Sequence, residues 1–531
     1  MDTLERIHEA TRRCKVADRR FFFAQAAALA TLPWLGSRVE GRIIRRPTFD
    51  GDPFSLGVAS GEPAPDGFVL WTRLAPSPLD PGGGMRPENF EVRWELARDE
   101  AMADVVRKGT EIATPQLGHS VHVELGGLEP DRWYWYRFRS GDATSPIGRA
   151  RTAPASASSP DRLKFAFASC QHYETGLYTA YEHMLKDDPD LVVHLGDYIY
   201  EGPGRANLVR RHHGPEIKGL EDYRARYAQY RGDAHLRAMH AHCPWIVTWD
   251  DHEVDNNYAN DISEEKGVAP ADFLERRANA YQAYYENMPL RRRCLPSGPD
   301  MRLYRTLHFG RLAAFQVLDT RQYRTDQPND DRRSALNEAA LDPSNTILGA
   351  RQSRWLKARL LESTATWNVL AQQVMMGMAG FRSSDSGAML YSMDQWPGYA
   401  HERMELVRFL EERRVPNPVV ITGDIHSNWV NELRVDDRQP DRPVVAAEFV
   451  GTSISSGGNG SATTPGLERR LADNPGVRFF NAQRGYVRCT LTPTSWRSDY
   501  RVVEEVTRPG APAVDRASFV VEAGEPGIKP A

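Results

Sequence analysis

The chain has 531 residues, with 67 Lys and Arg against 71 Asp and Glu and a formal net charge of -4. Its 40% hydrophobic residues suffice for one large domain and a smaller companion. With no basic or acidic block, composition argues against an obligate nucleic-acid partner but leaves small anionic substrates open, because a local cation cluster outweighs a small global charge.

In chain order, Arg19-Arg20-Phe21-Phe22 opens an apolar run to Leu35, interrupted only by Gln25, Thr31 and Pro33. Basic residues ahead of so short a run predict an export leader rather than a membrane span, which needs roughly 20 apolar residues. Asp18 before the pair and Phe23 after it give the run the look of a twin-arginine signal. Residues 1–46 are therefore expected to be leader and lead-in, with the export machinery as the precursor's partner. The product is expected in the periplasm or outside the cell, and no stable membrane span is expected elsewhere.

Residues 47–151 predict a small all-β sandwich. Gly67–Thr72, Phe90–Leu96, Ser120–Leu125 and Trp133–Phe138 alternate or cluster apolar and aromatic residues between Gly/Pro turns. A Pro/Ala/Ser-rich linker follows at 152–160. From 161 to 508 strands alternate with helices, predicting a layered α/β domain with mixed sheets. The expected strands include Leu163–Ala168, Asp190–Leu195, Trp245–Trp249, Trp367–Ala371 and Pro418–Thr422, with a strand pair at Arg302–Leu307 and Arg311–Asp319. The expected helices are Tyr178–Leu185, Leu220–Met239, Phe273–Tyr285, Gln352–Leu361 and Met404–Glu412. Residues 509–531 are expected to be a C-terminal tail.

Four segments carry the chemistry: Ser169-Cys170-Gln171, Gly196-Asp197-Tyr198-Ile199-Tyr200, Asp250-Asp251-His252-Glu253 and Gly423-Asp424-Ile425-His426. Each lies at or just beyond the end of an apolar strand, so side-by-side strands would bring their donors together. Asp197, Asp250, Asp251, His252, Asp424 and His426 combine compact anionic ligands with neutral imidazole. Gly196 and Gly423 let the backbone turn sharply or approach closely. Taken singly, each piece has a plainer reading: Asp250 and Asp251 as helix caps, His252 as a packed ring, Cys170 as a buried thiol and Tyr200 as sheet packing. Four such loops in α/β order favour a multi-metal hydrolytic site instead, and phosphate-ester hydrolysis is the expected reaction. Asp197, Asp251, His252 and His426 are its expected catalytic residues.

These segments resemble the calcineurin-like metallophosphoesterases and, more closely, the PhoD-like alkaline phosphatases. The superfamily's opening Asp-x-His is absent, and Ser169-Cys170-Gln171 stands in its place, as in PhoD-like proteins. Trp249–Tyr258, Leu318–Arg324 and Met393–Tyr399 extend the likeness. The resemblance implies ferric iron held by Cys170, Asp197 and Tyr200, together with two calcium ions. It makes Asp197 the bridge between iron and calcium. Asp251, Asp424 and His426 serve calcium, and Asp250 and Asn257 lead the less certain oxygen donors, with Asp255 and Asn256 behind them. It implies alkaline phosphatase activity on phosphomonoesters, with diester hydrolysis possible. The alternatives are a phosphodiesterase, a phospholipase-D-like enzyme or a non-catalytic phosphate- or calcium-binding protein.

Several other positions carry expectations of their own. Glu253 orients His252 or caps a surface helix; Arg321 and Arg324 hold the architecture, meet phosphate or form a solvated ion pair. Asp394 and Trp396 shape an entrance or sit in a surface loop. Gly451–Gly460 is expected to be mobile near the substrate opening, and His212-His213 to be an exposed pair outside the site. Cys243, Cys294 and Cys489 have the makings of one disulfide if the protein is exported.

Overall fold

The structure is a computed structural model describing residues 42–531. The twin-arginine run lies outside the described residues. Two large sheets stack face to face and helices cover their outer faces. The ten-stranded sheet has at its centre four mutually parallel strands: Leu163–Ala168, Leu191–His194, Pro244–Val247 and Val58–Ala64. The seven-stranded sheet is built around Ala313–Val317, Trp367–Ala371, Pro418–Thr422 and Ala446–Val450, also parallel to one another.

Strand alternation explains the layering. Leu163, Phe165 and Phe167 face the second sheet and pack in one core with Phe315, Trp367, Val369, Val419, Ile421 and Phe449. Ala166 and Ala168 point the other way, where small side chains admit the helices Thr179–Asp187, Leu220–Arg231, Ala234–His242 and Pro270–Asn287. On the far face, Leu356, Leu360, Leu406 and Leu410 of the helices Gly349–Glu362 and Ala400–Glu412 cover Leu370 and Val420. All helices expected in the α/β region are present. Leu220–Met239 is two helices rather than one, because the Asp233 carboxylate accepts hydrogen bonds from the His235 and Leu236 amides and starts a second.

The N-terminal β region is a sandwich, but only one of its layers is its own. Phe90, Val92, Leu96, Tyr134, Tyr136 and Phe138 of a six-stranded sheet pack on Val58, Phe68, Leu70, Val121 and Val123. The latter belong to Val58–Ala64, Gly67–Arg73 and Ser120–Glu124, which extend the ten-stranded catalytic sheet past Pro244–Val247. Buried Glu62 clips this layer to the seven-stranded sheet through Arg305, 2.6 Å away.

Residues 509–531 correct the expected tail. Ala513–Glu522 and Glu525–Pro530 close the opposite edge of the ten-stranded sheet, with Phe519 and Val521 buried in the inter-sheet core. A short alternating segment with only two deeply buried apolar residues reads as a tail until its partner Ser495–Val503 is known. The sequence left disulfide pairing open; among the described residues Cys170, Cys243, Cys294 and Cys489 are free and buried. No helix among the described residues is long and apolar enough to cross a membrane.

Candidate metal centre

The four chemistry-bearing loops meet at one edge of the paired sheets. Cys170, Asp197 and Asp250 follow successive parallel strands of the first sheet, and Asp424 follows Pro418–Thr422 of the second. Cys170, Asp197, Asn257, Asp424 and His426 all adopt left-handed backbone, with φ of 58°, 54°, 49°, 63° and 54°. Non-glycine residues carry that strain only where surrounding contacts over-determine it. Two glycines let the loops touch. A Cβ on Gly196, whose φ is 111°, would lie 2.4 Å from the Asp250 Cβ, and one on Gly423 would lie 2.4 Å from the Ser169 Oγ.

The ligand atoms form three overlapping triads: Cys170, Asp197 and His426; Asp197, Asp251 and His252; Asp250, Asp251 and Asp424. Asp197 belongs to the first two and Asp251 to the last two. Within each triad the candidate ligand atoms lie within 4.8 Å of one another. Tyr200 joins the first, its hydroxyl donating to Asp197 Oδ2 at 2.8 Å and lying 3.1 Å from His426 Nε2. His426 thus sits with Cys170 and Asp197, whereas Asp424 sits with Asp250 and Asp251. The Asn257 amide N–H donates to Asp251 Oδ2 at 2.7 Å, and its side chain turns toward Asp331.

The residues fit bound cations. Asp197 Oδ1, Asp250 Oδ2 and Asp251 Oδ1 are buried and have no hydrogen-bond partner, a costly arrangement unless a cation meets them. Burial, reinforced by neighbouring carboxylates, pushes Asp197 and Asp250 well above the usual carboxylate range. Burial likewise lifts Asp424 to about 7. Asp251 is held low instead, since Arg321 and His252 outweigh its burial. Burial raises the Cys170 thiol, and burial with the Asp197 charge raises the Tyr200 phenol. Burial lowers His426 to about 3, leaving its ring neutral as a ligand must be.

The supporting contacts decide between several paired readings. His252 Nδ1 meets Glu201 at 2.7 Å, so Glu201 and not Glu253 orients that ring. Glu253 is no surface cap. It is 1% exposed, and its carboxylate accepts the backbone N–H groups of Asp197, Tyr198 and Asp250, locking two metal loops together. Arg321 and Arg324 form no solvated pair, being 0% and 1% exposed. Arg321 donates to Asp250 at 2.5 Å and Asp394 at 2.7 Å, with Asp424 at 3.5 Å. Asp394 and Trp396 are buried rather than in a surface loop, and Asp394 also accepts from Arg324 at 2.6 Å. Residues 451–456 are buried, and Ser456 Oγ lies 2.8 Å from the Tyr200 hydroxyl while donating to the Cys170 carbonyl, so that half of the Gly-rich loop is a strut.

His212 is buried, against expectation. Its ring lies within hydrogen-bonding distance of the Gly202 carbonyl and the Tyr230 hydroxyl, and its amide donates to Glu174. Asp255 pairs with Arg276 at 3.0 Å and joins none of the three triads. Sequence reasoning gave Glu201 no role, although it directly follows the Gly196–Tyr200 segment. Ser456 lay hidden among the serines and glycines of its loop.

Such a carboxylate-rich centre at the strand ends of a two-sheet α/β sandwich defines a metal-dependent hydrolase. Models of the PhoD-like phosphatase and of its N-terminal domain match residues 165–500 and 41–154. Alkaline phosphatase D of Bacillus subtilis strain 168 is 50% identical over 536 residues, covering 99% of this chain and 91% of the relative. A solved structure described as "Structure of PhoD" matches with a TM-score of 0.88 and 52% identity, covering 91% of this chain and 93% of that one. The chain belongs to the PhoD-like phosphatase family, and it is a metal-dependent phosphoesterase.

Proposed function

We propose that the protein is an exported alkaline phosphatase acting mainly on phosphomonoesters and secondarily on diesters. The observation that carries this reading is the chain of three triads sharing Asp197 and Asp251, with three buried carboxylate oxygens left without partners. Cys170, Asp197 and Tyr200 would hold ferric iron, since thiolate and phenolate are strong donors to a highly charged ion. Asp197, Asp250, Asp251, Asn257, Asp424 and His426 would hold two calcium ions. Bound cations would neutralise the phosphoryl oxygens and acidify a water for in-line attack.

The chain's own residues then divide the remaining work. Glu201, Asp251 and Asp197 together outweigh burial and hold His252 well above the usual imidazole range. Held by Glu201 within reach of the Asp197 and Asp251 carboxylates, its ring is placed to pass a proton to a leaving oxygen. Arg321 balances the carboxylates from beneath, and Glu253 keeps the Asp197 and Asp250 loops in register. Export is supported by Arg19-Arg20 and the apolar run after them.

Metal analysis of purified protein, joined to activity after chelation and selective return of iron or calcium, tests the reading. Activity should vanish on chelation and return only with the matching metals. Cys170→Ser should lose iron and activity while remaining folded; normal iron and turnover in that variant would reject Cys170 as a ligand. Full hydrolysis by metal-free protein would sink the whole proposal. Comparing an aryl phosphate, a bis-aryl phosphate and phosphatidylcholine separates a monoesterase from a diesterase and from a phospholipase-D-like enzyme.

A further inference from the structure

His172 lies two residues past Cys170 and belongs to none of the three overlapping triads. Its ring centroid is 4.5 Å from that of Tyr200, which also packs against the His252 ring at 4.1 Å and whose hydroxyl lies 3.1 Å from His426 Nε2. Cys170, Asp197 and Tyr200 are buried, whereas His172, His252 and His426 are partly exposed. Three imidazoles grouped on one tyrosine therefore face solvent at this end of the centre. The His172 backbone is fixed there, its amide donating to Ser456 Oγ at 3.0 Å. His172 also clusters with Glu174 and His212, but the Arg205 and Arg226 guanidinium groups already reach into that cluster and disfavour a cation in it.

A neutral imidazole offers one acceptor nitrogen, yet His172 faces a donor on each side. The Glu174 amide donates to Nδ1 at 3.2 Å, and Arg205 Nη2 lies 3.3 Å from Nε2. That amide belongs to a buried residue and has no other acceptor among the described residues, so it claims Nδ1 and leaves the ring proton on Nε2. Nε2–H and the Arg205 N–H are then two donors set side by side, and among the described residues neither has an acceptor. Buried Glu174 anchors the rest of Arg205, accepting from its backbone amide at 2.7 Å and its Nε at 3.3 Å. The Arg205 side chain is 60% exposed, so the gap can open around an incoming atom. An anionic oxygen is what such a pair lacks, and hydrogen bonds from guanidinium to one are of the strong, charge-assisted kind.

We propose that His172 Nε2–H and Arg205 together hold one phosphoryl oxygen of the substrate, as phosphate-contacting residues on the exposed rim of the centre. The inference rests on the phosphoesterase reading above and deepens it.

The test follows hydrolysis of p-nitrophenyl phosphate, with inorganic phosphate as competitive inhibitor, in metal-replete wild type, R205Q, H172F and H172Q. R205Q and H172F should each raise KM and the phosphate Ki about tenfold, the scale of one hydrogen bond to a charged group, with bound metal unchanged. H172Q restores an N–H close to the Nε2 position and should recover most of the H172F loss. A role confined to packing on Tyr200 would give the reverse order, since phenylalanine keeps the ring and glutamine does not. Arg205 is exposed, so R205Q reports even if H172F disturbs its loop. Wild-type KM and Ki in either R205Q or H172F overturn the assignment, as does an H172Q protein no better than H172F. Absence of turnover by metal-replete wild type would overturn the phosphoesterase reading and this contact with it.

Discussion

Glu253 hydrogen-bonds backbone amides rather than any expected ligand side chain, yet its replacement should disable the centre. Its Oε2 accepts the Asp197 amide at 3.1 Å and the Asp250 amide at 2.8 Å; Oε1 accepts the Tyr198 amide at 2.5 Å. The carboxylate and all three residues are buried. Glu253→Ala would leave three buried donors without acceptors, at about 1–3 kcal/mol each. Even at the low end, with water entering the space, this approaches about 4 kcal/mol once the lost packing is added. Glu253→Gln keeps one oxygen and turns an NH2 group against another N–H, costing about 2 kcal/mol.

The loops holding Asp197 and Asp250 should separate in that order, and misplacement of about 1 Å at a reacting centre costs on the order of a hundredfold in rate. Hydrolysis of p-nitrophenyl phosphate should fall slightly in the conservative variant Glu253→Asp, about tenfold in Glu253→Gln and a hundredfold or more in Glu253→Ala. Metal content should follow, and the amides of residues 197, 198 and 250 should exchange hydrogen faster by mass spectrometry. Glu253→Ala with wild-type kcat/KM, metal content and amide protection would refute the claim that this carboxylate sets loop register.

Three further outcomes follow from the same geometry. Arg321→Met should destabilise the protein by about 3–5 kcal/mol, because removing one side of a buried charge cluster strands the other; adding Asp394→Asn should recover part of that loss in urea unfolding. Gly423→Ala should cut activity and Cys170-dependent metal content at least tenfold, since its methyl would strike the Ser169 Oγ at 2.4 Å and Cβ at 2.6 Å. Adding Ser169→Gly removes both atoms and should restore metal binding. Glu62 is buried, which alone would raise its pKa, but Arg305, Arg293 and Arg291 hold it below the usual range. Its stabilisation is therefore full above about pH 4.3, the unfolded value, and is lost as pH falls through the folded one. The stability gap between wild type and Glu62→Gln, measured by urea at pH 7 and pH 3.5, should shrink at the lower pH.

Much of the fold was legible because the strand code is short-range. Leu163–Ala168 is apolar but for Lys164 and Pro418–Thr422 is apolar up to its closing threonine, and their expected bounds match the structure. The candidate ligands were legible for the same reason: each sits just past such a run. Ion-pair geometry was not legible. Arg321 looks like any loop arginine until Asp250, Asp394 and Asp424 converge on it from 71, 73 and 103 residues away. Glu253 was misassigned because adjacency to His252 suggested contact, whereas the turn sends the two side chains to different partners.

Local periodicity and turn residues were thus enough to place the central strands, order the ligand-bearing loops and suggest the reaction, since each of these depends on neighbours a few residues apart. Which carboxylate is shared, which arginine neutralises and which glutamate braces the backbone emerged only on folding. Those assignments depend on desolvation and distances of a few ångströms between segments that no sequence interval encodes.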